Sequence, residues 1–131
     1  MTDTVTTRVL ANDLNYSLLL TSLSDGTGEA AAVKADISSL TGPDGFAPSS
    51  LRIDRVRWTI NGFEYAKIAW DATTDDTALI LGVGEGELDF RDVGGLRDPG
   101  STGSTGDVVL TTPAGSAGDS YTIILEMTKI Q

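Results

Sequence analysis

With 131 residues, no cysteine and no histidine, the chain is long enough for one domain that buries roughly two thirds of its unfolded surface, and it offers no disulfide, thiolate or imidazole site. Its 19 acidic residues against 9 basic ones give a formal charge of −10, which repels phosphate backbones and steers the molecule toward basic partner surfaces. Any catalysis would fall back on carboxylates, lysine or tyrosine.

The N-terminal residues from Met1 to Thr7 carry neither a basic stretch nor an apolar one, so no secretory leader is expected. Threonine-rich Thr2 to Arg8 can act as an extended arm, with Val5 to Leu10 reading as a first strand. Tyr16 to Leu23 reads as a second, after Asn12, Asp13 and Asn15 as turn residues. No run of large aliphatics exceeds three residues, as in its Leu18-Leu19-Leu20, far short of the ~20 apolar residues that span a bilayer. Ser24 to Gly28 marks a turn. Glu29 to Ile37 is two-sided, because its alanines favour a helix while its shortness and the surrounding pattern favour a strand; we read it as a strand. Leu40 to Ser50, with Gly42, Pro43, Asp44, Gly45 and Pro48, reads as a long exposed loop.

Asn61-Gly62 lies between two strand-like runs, Arg52 to Ile60 and Phe63 to Trp70, and predicts a tight hairpin. Val56, Trp58 and Ile60 would share one face and Ala66, Ile68 and Trp70 another, making a buried cross-strand cluster in which each Trp→Ala change costs about 3–5 kcal/mol. Arg55 and Arg57 fall on one strand face and Arg52 on the other, which reads as a solvated face or a row of ion pairs rather than a nucleic-acid stripe. Thr77 to Val83 and Leu88 to Phe90 read as further strands. The intervening Gly82, Gly84 and Gly86 alternate with glutamates and precede no helix, so they do not make a phosphate cradle. Arg97 to Gly106 reads as a flexible loop. Two acidic groupings, Asp71 with Asp75 and Asp76, and Glu85 with Glu87, Asp89 and Asp92, carry oxygen ligands of the kind calcium takes, yet neither has the spacing of an EF-hand loop. The last quarter, Thr105 to Ile130, holds two strand-like runs joined by a Gly/Ser/Pro turn region in which Pro113, Gly115 and Gly118 interrupt pairing. Together these elements predict an all-β chain, residues 1–131 forming a single antiparallel β-sandwich domain of jelly-roll or Greek-key type with about eight strands and little helix.

Four segments, Ser24 to Glu29 (S-D-G-T-G-E), Trp70 to Asp75 (W-D-A-T-T-D), Thr105 to Val108 (T-G-D-V) and Gly118 to Lys129 (G-D-S-Y-T-I-I-L-E-M-T-K), resemble, in this order, small virion proteins of tailed bacteriophages. The likeness runs from roughly Thr4 to Lys129 and is to the decoration or cement class of accessory head proteins. It implies a non-enzymatic structural protein made in the host bacterium's cytoplasm and carried on the outer head surface of the virion. The implied partners are the major capsid protein and further copies of the chain, a trimer being favoured. No cofactor, metal, nucleic acid or membrane is implied. Candidate contacts are Thr2, Thr4, Thr6 and Arg8 in the N-terminal segment, and Arg97, Asp98, Ser101 and Thr102 in the glycine-rich loop. A carbohydrate- or host-surface-binding β module and a tail or neck structural protein are the alternatives. A hydrolase is disfavoured because no nucleophile with its base and orienting group stands out.

Overall fold

The eight strands follow the alternation of the sequence: β1 (Thr4–Asn12), β2 (Asn15–Asp25), β3 (Ala32–Ala35), β4 (Ser50–Trp70), β5 (Asp76–Asp89), β6 (Leu96–Arg97), β7 (Val108–Thr111) and β8 (Ala117–Ile130). The structure, a computed structural model, describes residues 4–12, 15–25, 32–41, 45–46, 48–100, 102–113 and 117–130. All pairings are antiparallel, and the strands form one eight-stranded sheet nearly closed into a barrel. Two 3-10 turns, Ile37–Ser39 and Arg91–Val93, are the helical elements among the described residues.

The order along the sheet is β1-β2-β8-β4-β7-β3, with β5 and β6 also on β4. Strand β4 is therefore the axis of the fold. Its first part pairs with β8, from Ser50↔Ile130 to Asn61↔Ser120, and its last part with β7, from Lys67↔Thr111 to Trp70↔Val108. On its other side β5 accompanies it through both parts.

Two irregularities let one 21-residue strand serve both parts. Asp54 is an extra residue between the pairs Ile53↔Met127 and Arg55↔Glu126. This bulge moves the inward positions from Leu51 and Ile53 to Val56 and Ile60, all buried. The bulged Asp54 keeps its backbone satisfied, its carbonyl accepting the Phe90 amide at 2.8 Å. Farther on, Ile60↔Gly84 is followed by Tyr65↔Gly82, so residues 61–64 stand opposite Val83 alone.

The expected hairpin is thus replaced by a corner. Asn61-Gly62 does not fold Arg52 to Ile60 back onto Phe63 to Trp70; it bends one continuous strand away from β8. Gly62 sits at φ +87°, a conformation L side chains rarely adopt, and another residue there would also have to push the Asp119 carboxylate aside. Phe63 enters the core at this corner, its ring 6.1 Å from that of Tyr121.

Leu18 and Leu20 of β2, Ile123 and Leu125 of β8, Ile68 and Trp70 of β4, Leu79 and Leu81 of β5 and Val108 and Leu110 of β7 converge on the core. Each such side chain stabilises the fold by roughly 1.5–3 kcal/mol. Lys129 occupies an inward position at the end of β8, where its Nζ donates to the Thr41 carbonyl at 2.9 Å. Trp58 departs from the expected cluster. It is only partly buried, and its ring lies over Gly86, where a Cβ would come within 2.4 Å of it. Gly82, Gly84 and Gly86 belong to the continuous β5, which joins the two short strands expected there. In Leu40 to Ser50, read as exposed, Leu40 and Pro48 are buried while Phe46 is exposed; residues 42–44 and 47 lie outside the described residues. Of Glu29 to Ile37, Ala32–Ala35 is strand, and Asp36 caps the 3-10 turn that follows by accepting the Ser38 amide at 3.0 Å.

Candidate functional site

The two segments singled out as contacts occupy different elements. Thr4, Thr6 and Arg8 lie in β1, so from Thr4 onward the expected arm is a strand paired along β2 from Thr4↔Leu23 to Asn12↔Tyr16. Arg8 is exposed. Thr2 and Ser101 fall outside the described residues. Arg97 lies in β6 opposite Arg52 and is exposed.

The loop after Arg97 is tied down rather than free. The Asp98 carboxylate accepts the Gly100 amide at 2.8 Å and the Ser104 hydroxyl at 2.9 Å, an Asx-type closure of a glycine-rich stretch. The same loop docks on the turn between β4 and β5. The Thr73 amide donates to the Thr102 carbonyl at 3.1 Å, the Thr105 amide to the Asp71 carbonyl at 3.0 Å, and the Asp71 amide to the Asp107 carbonyl at 2.9 Å. The Thr105 hydroxyl adds a bond to the Asp71 carboxylate at 2.9 Å. A crevice of ≈ 310 Å³ lies between loop and turn, lined by Thr73, Thr74, Asp76 and Thr102.

A second concave region was not legible in the sequence. Strands β4 and β8 and the Arg91–Val93 turn enclose a groove of ≈ 250 Å³ lined by Asn15, Arg52, Asp54, Arg91, Gly94, Gly95 and Thr128. An adjoining hollow of ≈ 250 Å³ extends it past Ser17, Arg55 and Glu126. The bulge at Asp54 creates this arrangement. Without the extra residue Arg52 would face away from Arg55 and Arg57; with it, all three side chains leave the core-facing side of β4.

Each of these arginines meets a carboxylate. Arg55 forks onto Glu126, Nε to Oε2 at 2.5 Å and Nη2 to Oε1 at 3.0 Å. It also reaches Glu87 at 3.4 Å, and Arg57 reaches Glu126 at 3.6 Å. Arg52 donates from Nε to Asp54 at 2.7 Å and from Nη2 to the Thr128 hydroxyl at 3.2 Å, while that hydroxyl donates to Asp54 at 2.5 Å. Arg91 holds Asp89 through Nε at 2.9 Å and Nη2 at 2.5 Å, and its amide donates to the same carboxylate at 3.0 Å. Of the two readings of Arg52, Arg55 and Arg57, the ion pairs are present, but the bulge at Asp54 brings Arg52 onto the face of the other two instead of the opposite one.

The charges shift in opposite directions at the two regions. Hydrogen bonds from the Arg91 side chain and then its amide pull the Asp89 carboxyl down to about 2. Burial pushes the Asp107 carboxyl up, with Asp36 and Asp71 adding repulsion against the bond it accepts from the Ile37 amide. The low folded value at Asp89 means that its contribution to stability is complete above the ordinary 3.8 and is lost as the pH falls through about 2. Asp107 works the other way: its folded value is raised, so folding opposes its ionisation and acidification relieves that penalty. A carboxyl-detected NMR titration should place the two midpoints on opposite sides of the ordinary aspartate value, and Arg91→Gln should return Asp89 toward it.

Among the described residues no three carboxylates stand together as a metal-binding group, and no helix is long and apolar enough to cross a membrane. Trp70, Phe63, Tyr16 and Tyr121 are core residues. Compared with known protein families, curated proteins and solved structures, the chain matches none.

Proposed function

We propose that this chain is a non-enzymatic virion structural protein of the decoration or cement class. It binds the outer surface of a tailed-phage head and bridges neighbouring subunits of the major capsid protein. Its sheet, in this reading, is a β-sandwich of Greek-key or jelly-roll type whose two halves share β4 and β5. The mechanism is mechanical: opening the lattice requires breaking contacts to two subunits at once, and contact areas of ~800 Å² per partner suffice for stable association.

The observation that supports this reading is the placement of the four segments that carry the resemblance. Where they are described, they meet at two places. Trp70 to Asp75 docks on Thr105 to Val108 through the Asp71 and Thr105 bonds and the Trp70↔Val108 pairing. The segment beginning at Ser24 meets the start of β8 at Asp25↔Ala117, next to Gly118. The segments that carry the resemblance thus meet at the β4–β7 and β2–β8 seams, an arrangement that a common scaffold would favour. Arg52, Arg55, Arg57 and Arg91 are engaged with carboxylates, which suits an inert, subunit-bridging surface, while Arg8 and Arg97 are exposed. A carbohydrate-binding module would draw on a patch of exposed aromatics; Tyr16, Phe63, Trp70 and Tyr121 are buried, Trp58, Tyr65 and Phe90 half-buried, and Phe46 is exposed.

The test is binding to phage heads that lack the protein, with copy number read from quantitative gels and particles imaged by cryo-electron microscopy. Saturable binding with symmetric external density at a fixed copy number is expected. Absence of head binding, or density confined to the tail or neck, would overturn the proposal.

A further inference from the structure

Strand β1 ends the sheet. It pairs with β2 and with no other strand, so among the described residues its second edge has no strand partner for its backbone donors and acceptors. Such an edge is normally blunted by brevity, by charge or by a covering element. β1 is 9 residues long, ~30 Å of strand, and Thr7, Arg8, Val9 and Leu10 are all exposed. Val9 and Leu10 are 49% and 48% exposed, and Leu23 of the neighbouring β2 is 56% exposed. The bulge at Leu10, between the pairs Val9↔Leu18 and Ala11↔Ser17, leaves the run from Thr4 to Val9 in regular register.

Charge says what can approach this edge. The chain carries −10 overall, yet from Thr4 to Ser24 its charged residues are Arg8 and Asp13 alone. Strand β5, which also has one partner, carries Asp76, Glu85, Glu87 and Asp89. A second copy of this acidic molecule is repelled from β5 and meets almost no like charge at β1.

The sequence of β1 also complements itself. In an antiparallel pair of two copies related by a two-fold axis, opposed positions add to a constant. Centring on Arg8 sets two guanidinium groups face to face, which is destabilising. Centring on Thr7 places, by register, position 7 opposite itself, position 5 opposite Val9 and position 6 opposite Arg8, a register that opposes no like charges. We infer that β1 is a self-pairing edge that joins two copies of this chain in a two-fold, antiparallel contact centred on Thr7.

One strand from each copy is less than the ~800 Å² per partner of a standard stable interface, so the dimer forms in the micromolar range and not as an obligate pair. Because the partners are both strongly acidic and the contact is nearly uncharged, added salt strengthens it. The inference does not depend on the capsid reading, and it makes the free protein a dimer where the resemblance implies a trimer.

The chain has no cysteine, so one introduced thiol reports the geometry. Opposed residues in an antiparallel pair place their Cα atoms ~4.5–5.5 Å apart, within disulfide reach. Under mild oxidation Thr7→Cys should be trapped as a covalent dimer at least tenfold faster than Asp92→Cys, an exposed position on the Arg91–Val93 turn. Sedimentation equilibrium of the unmodified protein at ~10–100 µM should show a monomer–dimer equilibrium that Val9→Lys weakens at least tenfold, with unchanged circular dichroism confirming that the variant folds. A strictly monomeric or trimeric protein, cross-linking of Thr7→Cys no faster than of Asp92→Cys, or a dimer indifferent to Val9→Lys would overturn the inference.

Discussion

Trp70→Ala should lower the unfolding free energy by about 3–5 kcal/mol and the melting temperature by roughly 10–20 °C, whereas Trp58→Ala should cost on the order of 1 kcal/mol. The two tryptophans sit on the same strand at equivalent spacing, yet their surroundings differ. Trp70 is 2% exposed and lies where β4 is flanked by β5 through Asp76 and by β7 through Val108. Its removal opens a cavity that two hydrogen-bonded strands cannot collapse to fill. Trp58 rests on the backbone of Gly86 with part of its ring in solvent, so its truncation uncovers a glycine strand rather than emptying the interior. Urea titrations of the two variants decide the matter: equal losses would mean that Trp58 is as deeply packed as Trp70, contrary to the structure.

At Asn61-Gly62 the sequence predicts a hairpin where the chain runs on as one strand. Asn-Gly between two alternating runs is the strongest local hairpin signal, and it won over a weaker long-range one. A two-residue turn at Asn61-Gly62 would oppose Ile60 to Phe63 and Trp58 to Tyr65. It would also set Ala66 against Arg57 and Ile68 against Arg55, an apolar residue facing an arginine twice. The parity of Val56, Trp58 and Ile60 with Ala66, Ile68 and Trp70 therefore already contradicted that turn and fitted a through-strand with an even offset. The phase change from Leu51 and Ile53 to Val56 likewise marked the bulge at Asp54. Strand existence and the β class were legible because alternation is local. The order of strands was not, and with it went the edge status of β1 and the gathering of Arg52, Arg55, Arg91 and Glu126, which requires β4 and β8 to be neighbours across 71 residues of sequence separation at Arg55 and Glu126.

The segment from Arg97 to Gly106 shows the same limit from the side of composition, and Gly106→Ala should expose it. Glycine and serine content reads as freedom, but glycine also permits contacts that other residues forbid. Gly106 has φ +83°, and a Cβ there would stand 2.6 Å from the Ser49 carbonyl oxygen and 2.6 Å from Ile37 Cδ1. The left-handed backbone costs an alanine ~1–2 kcal/mol, and overpacking against a backbone oxygen that cannot swing aside adds ~1–3 kcal/mol. Gly100, at φ +73° with open space around it, supplies the matched comparison, since Gly100→Ala meets the backbone strain alone. A urea midpoint lowered about twice as far by Gly106→Ala as by Gly100→Ala, at equal slope, is the expected result. Hydrogen exchange then locates the damage. In Gly106→Ala the amides of Asp71, Thr73 and Thr105, which bond across the loop and turn, should lose protection while those of β8 keep theirs. Equal losses in the two variants would mean that this loop bears on the rest of the molecule no more closely than its composition suggests.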